Sequence, residues 1–288
     1  MKRSLSILLA MIVVFCTLSS VTATVYADYD ANLVAHQKMD NILQNYVDPS
    51  YHLDNYDDFT ESEEAELRAV VGEVITGCTT EYEKISAVTK FVAENIYYDF
   101  DFYEGRTSTT YIKPYEVWTN KRTICDGYSR LTKALLNFTG VPCMRVLADD
   151  HAYNVAYDSE NNRWIYLDAT WCSGNKYSYG EYTSGTYKVS HFDMSLELLS
   201  RLSNHEFYIL EGIYIDDLTY YIETPNNADW ANLDEWHVSV SGHINKKNVS
   251  AIHNIISSLD EFPVTNIKYC AFSDCTSLTS CNRLPKGA

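Results

Sequence analysis

Around Gly140-Val141-Pro142 the apolar residues of this chain change their spacing, and few architectures accommodate the change. Upstream the spacing is helical. Ile85, Val88, Val92 and Ile96 recur at three- and four-residue steps, as do Tyr128, Leu131, Leu135 and Phe138. Downstream the period falls to two, so residues 143–148, 151–157 and 164–170 read as strands. The last two are joined by a turn within Asp158-Ser159-Glu160-Asn161-Asn162. Helices first and consecutive antiparallel strands after them give an α+β domain, with helices packed on an antiparallel sheet.

The helix boundaries carry their own chemistry. Residues 31–46 form a loose apolar stripe that Pro49 ends. Thr60-Glu61-Ser62-Glu63 and Thr80-Glu81-Tyr82-Glu83 each fit a capping box, in which the threonine hydroxyl and the glutamate carboxylate satisfy the first free backbone N–H groups. Gly77 stops the first of these helices, and Gly140 followed by Pro142 ends the helix that opens at Cys125. Residues 102–113 and 172–187 read as loops, the latter followed by a short strand and a helix around 195–203, and 207–222 read as apolar and β-prone. A polar stretch at 223–229 is the expected boundary with a separate small unit. The expected division is therefore a signal peptide at 1–27, an N-terminal helical segment at 28–78, a catalytic domain at 79–222 and a C-terminal unit at 229–288.

The start of the chain resembles an export signal: Lys2 and Arg3 precede an apolar run over 5–18, with Val25-Tyr26-Ala27 before Asp28 as a cleavage step. That run is shorter than the roughly 20 residues a membrane span needs, so the expectation is a secreted or cell-surface protein with no span after cleavage. The net charge is −17, and such an acidic surface repels phosphate backbones. Nucleic acid is excluded as an expected partner. Beyond Cys16 seven cysteines remain, at irregular spacing with no CxxC pair and no zinc-like pattern. Nothing resembles a calcium loop either. No metal and no cofactor are expected, and an odd number of thiols in an exported chain leaves one free.

Cys125 is the candidate for that thiol. It stands in the first turn of its helix, where backbone N–H groups favour a thiolate. The strands supply partners. If Asp158 to Asn161 form a four-residue loop, His151 faces Asp168 directly. A loop two residues longer makes them diagonal neighbours on one face. Either register brings an imidazole and a carboxylate within reach, so that the carboxylate holds one ring nitrogen and the other faces the thiol. The remaining histidines, at 36, 52, 191, 205, 237, 243 and 253, lack acids or thiols at useful spacing and read as surface or packing residues. Asp149 and Asp150 read as the turn into the His151 strand.

These segments together resemble a known family. Cys125-Asp126-Gly127-Tyr128-Ser129-Arg130-Leu131 and then Gly140-Val141-Pro142-Cys143 are similar to the nucleophile helix and following strand of transglutaminase-like domains. His151-Ala152-Tyr153-Asn154-Val155 resembles their histidine strand, Asp168-Ala169-Thr170-Trp171 their aspartate strand, and Lys84 to Asp99 the helix before the core. The resemblance implies a papain-like Cys125-His151-Asp168 triad. Its thiolate would attack a glutamine side-chain or other amide, release ammonia or amine, and pass the acyl group to an amine or to water. The substrate implied is a protein or peptide, with cell-wall peptide among the candidates. A thiol peptidase with the same triad, and a non-catalytic surface binding module, are the alternatives. For the oxyanion the backbone N–H of Cys125 is one expected donor, with Trp118, Asn120 and Tyr98 as candidates for another. Near the end, residues 267–280 look like one leucine-rich repeat of the BspA-like type found in bacterial surface proteins. Cys270 and Cys275 there are read as small core residues.

Overall fold

A computed structural model describes residues 32–205 apart from 38, 42, 46, 54–58 and 149, and beyond them the strands at 209–215, 218–223, 237–242 and 266–267. The export signal, the repeat-like segment and cysteines 270, 275 and 281 lie outside the described residues. So do the side chains of His237, His243 and His253.

Both capping boxes form. Thr60 caps α1 (Glu61–Val74) and Thr80 caps α2 (Glu81–Asn95), each hydroxyl accepting from the third residue of its helix while that residue's carboxylate accepts from the cap N–H. A short strand β1 (Tyr97–Asp99) and the single-turn helix α3 (Phe100–Tyr103) come after them. Next are α4 (Pro114–Asn120), β2 (Arg122–Thr123) and the long helix α5 (Cys125–Phe138), whose ends match the sequence reading. Then β3 (Cys143–Ala148), β4 (His151–Asp158) and β5 (Arg163–Leu167) form an antiparallel meander. The segment read as a strand to residue 170 stops at Leu167, and Ala169–Cys172 turns into a one-turn helix, α6. Asp168 caps it by accepting from the Trp171 N–H, a bond that competes with strand pairing. The loop at 172–187 likewise contains a hairpin, β6 (Lys176–Ser178) and β7 (Glu181–Thr183).

The strands make two sheets. A small one has the order β2-β1-β6-β7. The larger one runs β11 (Asn266–Ile267), β10 (His237–Gly242), β9 (Leu218–Glu223), β8 (Ile209–Ile215), β3, β4, β5, and every neighbour in it is antiparallel except β10 with β11. The expected boundary at 223–229 thus lies between β9 and β10, two strands bonded to each other. The expected boundary near residue 78 is bridged too. Leu67 and Val71 of α1 belong to one core with Val88, Val92, Leu131, Leu135, Ile165 and Leu167, and each such fully buried side chain contributes about 1.5–3 kcal/mol.

The burial of α5 goes beyond what its periodicity reports. An amphipathic α5 should leave one face in water, yet Thr132, Lys133, Leu136 and Asn137 are buried as well as Leu131 and Leu135. Strand β4 is also buried on both faces along most of its length. The N-terminal segment accounts for the covered far side of the sheet. Trp164 donates to the Leu43 carbonyl at 2.9 Å and the Tyr166 hydroxyl reaches Asp40 at 3.1 Å. His52 is buried edge-on to Trp164. A segment about 120 residues away in sequence covers the sheet, which local spacing cannot reveal.

Candidate active site

Cys125 occupies the first position of α5. Its N-cap, Ile124, is extended and offers no side-chain acceptor, so the amides at this helix start keep their hydrogens directed outward. The turn beneath is set by Gly127. A Cβ there would stand 2.0 Å from Thr123 Oγ1 and 2.9 Å from Val117 Cγ2. Only glycine lets α5 approach α4 and β2 this closely. Thr123 is itself held, donating to the Tyr111 carbonyl. Asp126, next to the thiol, would disfavour a second negative charge, but Arg145 from β3 and Arg130 one turn on both pair with it. Arg145 also donates to Ser129 at 3.0 Å. The negative charge next to Cys125 is therefore neutralised from two sides.

The β4–β5 loop is four residues long, Ser159–Asn162, one residue further along than the shorter alternative. Asn154 pairs with Leu167 and Asp158 with Arg163. Of the two registers considered, the diagonal one is found. Extended past the end of β5, this register sets Asp168 across from Tyr153, two residues from His151. The pair still meets: His151 Nε2 lies 2.7 Å from Asp168 Oδ2. That contact leaves Nδ1 as the ring atom for the thiol, and Cys125 is near enough to help raise the basicity of the ring. The three side chains read from the sequence therefore converge. Cys125 and His151 are each 9% exposed and Asp168 is fully buried.

Burial works against a charged His151, but the Asp168 charge and hydrogen bond, followed by the Cys125 contact, outweigh it and push the imidazole up to about 10. Asp168 is the complement. Burial favours its neutral form, yet His151 and then His205 hold its carboxyl well below the usual range. Tyr98 is driven above its ordinary value by burial and by the nearby Cys125, so its hydroxyl remains a neutral donor.

His205 departs from the sequence reading. It is fully buried, with Nε2 2.9 Å from the same Asp168 Oδ2 and Nδ1 3.0 Å from the Ser203 carbonyl. Its acid lies 37 residues upstream, and no local pattern signals the pairing. Asp150 behaves as read, with a left-handed φ of 54° at the turn into β4. His191, half-buried against Trp171, is a packing residue. Among the described residues His151, Asp168 and His205 form the one cluster with metal-ligand character, their atoms within 4.8 Å of one another. A tetrahedral zinc would separate neighbouring ligand atoms by roughly 3.3 Å. The 2.7 and 2.9 Å contacts are hydrogen-bond distances, and they suit proton exchange rather than coordination.

A cleft of about 700 Å³ opens beside His151. Tyr98, Phe100 and Tyr103 form one aromatic wall, packed edge to face. Trp171, Lys176 and Lys188 also line it, with the backbone at Ser173-Gly174-Asn175 and Thr186. Gly174 and Gly185 touch: a Cβ on Gly185 would come 2.0 Å from the Gly174 oxygen, and one on Gly174 2.6 Å from the Thr186 nitrogen. Asn175 locks this contact, accepting from Gly185 N–H while its amide donates to carbonyls at the end of α2. Of the oxyanion candidates, Tyr98 lines the cleft. Asn120 donates back to the Glu116 carbonyl, and Trp118 packs on Phe91 beneath Lys121.

Residues 68–169, the stretch that holds all three converging side chains, match the model of the transglutaminase-like superfamily. That stretch, less than half of the chain, is similar to the superfamily. Human kyphoscoliosis peptidase is 27% identical to this chain over 124 residues, covering 38% of this chain and 18% of the peptidase. The chain thus spans less than a fifth of that relative. Two solved structures are similar over part of the fold. A proposed cysteine protease from Cytophaga hutchinsonii has 22% identity over 37% of each chain, with a TM-score of 0.31. A TGase has 19% identity over 47% of this chain and 38% of its own, with a TM-score of 0.33. The matched stretch lies within the expected α+β core, and His205 lies beyond it. No helix among the described residues is long and apolar enough to cross a membrane.

Proposed function

We propose that this domain is a secreted cysteine enzyme that acts on glutamine side chains or other amides of proteins or peptides, cell-wall peptides included, through a thioester. The observation that carries the proposal is the position of His151, its Nε2 held by Asp168 at 2.7 Å and Cys125 near enough to raise its basicity. With the thiol proton already resting on His151 Nδ1 near neutral pH, the sulfur attacks the amide carbon to give a tetrahedral oxyanion. The backbone N–H of Cys125 and the Tyr98 hydroxyl are the proposed donors to it. Collapse breaks the C–N bond as His151 returns the proton to the leaving nitrogen, so ammonia or an amine departs and a thioester remains. An amine or water then attacks. His151 takes its proton and keeps it, the C–S bond breaks, and the sulfur leaves as the thiolate while the acyl product departs. Main-chain cleavage would use the same steps, and the similarity to kyphoscoliosis peptidase favours it as a second reading.

Iodoacetamide at neutral pH, followed by peptide mapping, tests the proposal. Burial pushes the thiols of Cys143 and Cys172 up to about 12, and Cys78 is a half-buried control. Cys125 is expected to be alkylated fastest of the four, and His151→Ala to remove its advantage. Turnover of glutamine-containing or other peptide substrates is expected to fall by roughly 10⁴-fold or more in Cys125→Ala. A disulfide at Cys125, or reactivity no greater than that of Cys78, overturns the proposal.

A further inference from the structure

Asp168 Oδ2 accepts from two imidazoles at once, and the second of them has no part in the proposed reaction. His205 is fully buried in a cage of Trp171, Tyr153 and His151, with ring centroids 4.8 to 5.1 Å from its own. Nothing in this cage lets the ring swing: Nδ1 is fixed on the Ser203 carbonyl at 3.0 Å while Nε2 meets Asp168. A carbonyl and a carboxylate oxygen both only accept. The two contacts are therefore both hydrogen bonds when the ring carries a proton on each nitrogen. We infer that His205 is a positioning residue of this site: it anchors Asp168 Oδ2 from the side opposite His151 and keeps that carboxylate ionised and aimed at the His151 ring. The inference rests on the proposed cysteine-enzyme function.

The physical need for such an anchor comes from the strand geometry. Asp168 is not in a strand. It sits at the start of the single-turn α6, where its other oxygen caps the Trp171 N–H at 3.1 Å. A carboxylate on so short a helix has little backbone to fix it. A fully buried anion also needs its lone pairs occupied. With Trp171 on Oδ1 and two imidazoles on Oδ2, Asp168 has three donors and one orientation. The groups facing His205 are Asp168, His151, Tyr153, His36 and His191. Burial and then His205 hold His36 down near 4, which keeps that ring neutral. Asp168 is thus the only anion against His205 within this set.

Three substitutions test the anchor, read by the pH dependence of Cys125 alkylation, which requires no substrate. His205→Phe keeps the ring and its packing and removes both donors. His205→Gln keeps one donor within reach of Asp168, and His205→Met has similar reach without a donor. In the Phe and Met variants the acid limb of the profile is expected to move up by about one pH unit, with the rate at neutral pH falling about tenfold. His205→Gln should recover most of that loss, and circular dichroism should show all three folded. A purely packing role predicts a wild-type profile in folded His205→Phe. If Phe prevents folding, the comparison of Gln with Met decides: equal profiles overturn the anchor. Wild-type protein without a fast Cys125 overturns the enzymatic reading instead, so the two failures are distinguishable.

Discussion

His151 links proton chemistry to stability. Its folded value, raised to about 10, lies above the ordinary 6.5 of the unfolded chain. The protonated ring therefore contributes stability in full below about pH 6.5. The contribution is lost progressively as pH rises through 10. Asp168 is the same interaction seen from the other partner: depressed, it contributes above its unfolded value and loses that contribution as pH falls below about 3.8. Thermal unfolding between pH 6.5 and 10 should show a decline in wild type that His151→Asn lacks. An equal decline in both would mean that the ring is not held in its charged form. His151 and Asp168 were legible in the sequence because a hairpin fixes which residues can meet. His205 was not, since it lies 37 residues beyond its partner, past α6 and the β6–β7 hairpin, and no period in the chain marks the pairing.

The nucleophile helix depends on one missing side chain. At Gly127 an alanine would drive its methyl into Thr123, which is tied to the Tyr111 carbonyl. The start of α5 would have to lift from α4 and β2. Gly127→Ala is expected to cost about 1–3 kcal/mol of stability and to reduce Cys125 alkylation and turnover together, as Cys125 is displaced from His151. Retention of wild-type reactivity at unchanged stability would show that the close approach is not needed. The ends of α5 were readable from Cys125, Gly140 and Pro142, and both capping boxes from their threonines and glutamates. The full burial of α5 is not readable from its spacing, because an apolar stripe reports one partner layer. Here α2 and α4 pack on the helix as well as the sheet, and neither leaves a mark on its spacing. The end of β5 was misplaced for a different reason: the side chain of Asp168 offers Trp171 a cap that outweighs continuing the ladder.

At the scale of the molecule, hydrogen bonds run through the places where divisions were expected. Val146 and Leu147 of β3 pair with Leu210 and Ile209, β8 pairs with β9, and β9 with β10. A chain ending near residue 225 keeps β8 and β9 and retains His205, so it should keep a fast Cys125 and a cooperative melt. It also loses β10, leaving β9 as an open edge that invites self-association. Ending the chain near residue 200 removes His205 and the strand beside β3 together. Its melting temperature should fall by more than about 5 °C, and the reactivity of Cys125 should drop. Calorimetry and light scattering on the two shortened chains check both statements. Equal melting of the two would mean that β8 adds nothing to the sheet.

The contact between Gly174 and Gly185 bears on how such a cleft can diversify. Backbone meets backbone there, and any larger residue at either position would force the loop apart. One side of the cleft is in this sense a fixed die, whose dimensions mutation cannot adjust in small steps. Adaptation to a new substrate is left to the opposite wall, where Phe100 and Tyr103 offer side chains that can be trimmed while Tyr98 keeps its hydroxyl. Selection acting on this domain would therefore register as aromatic turnover on one rim and glycine fixity on the other.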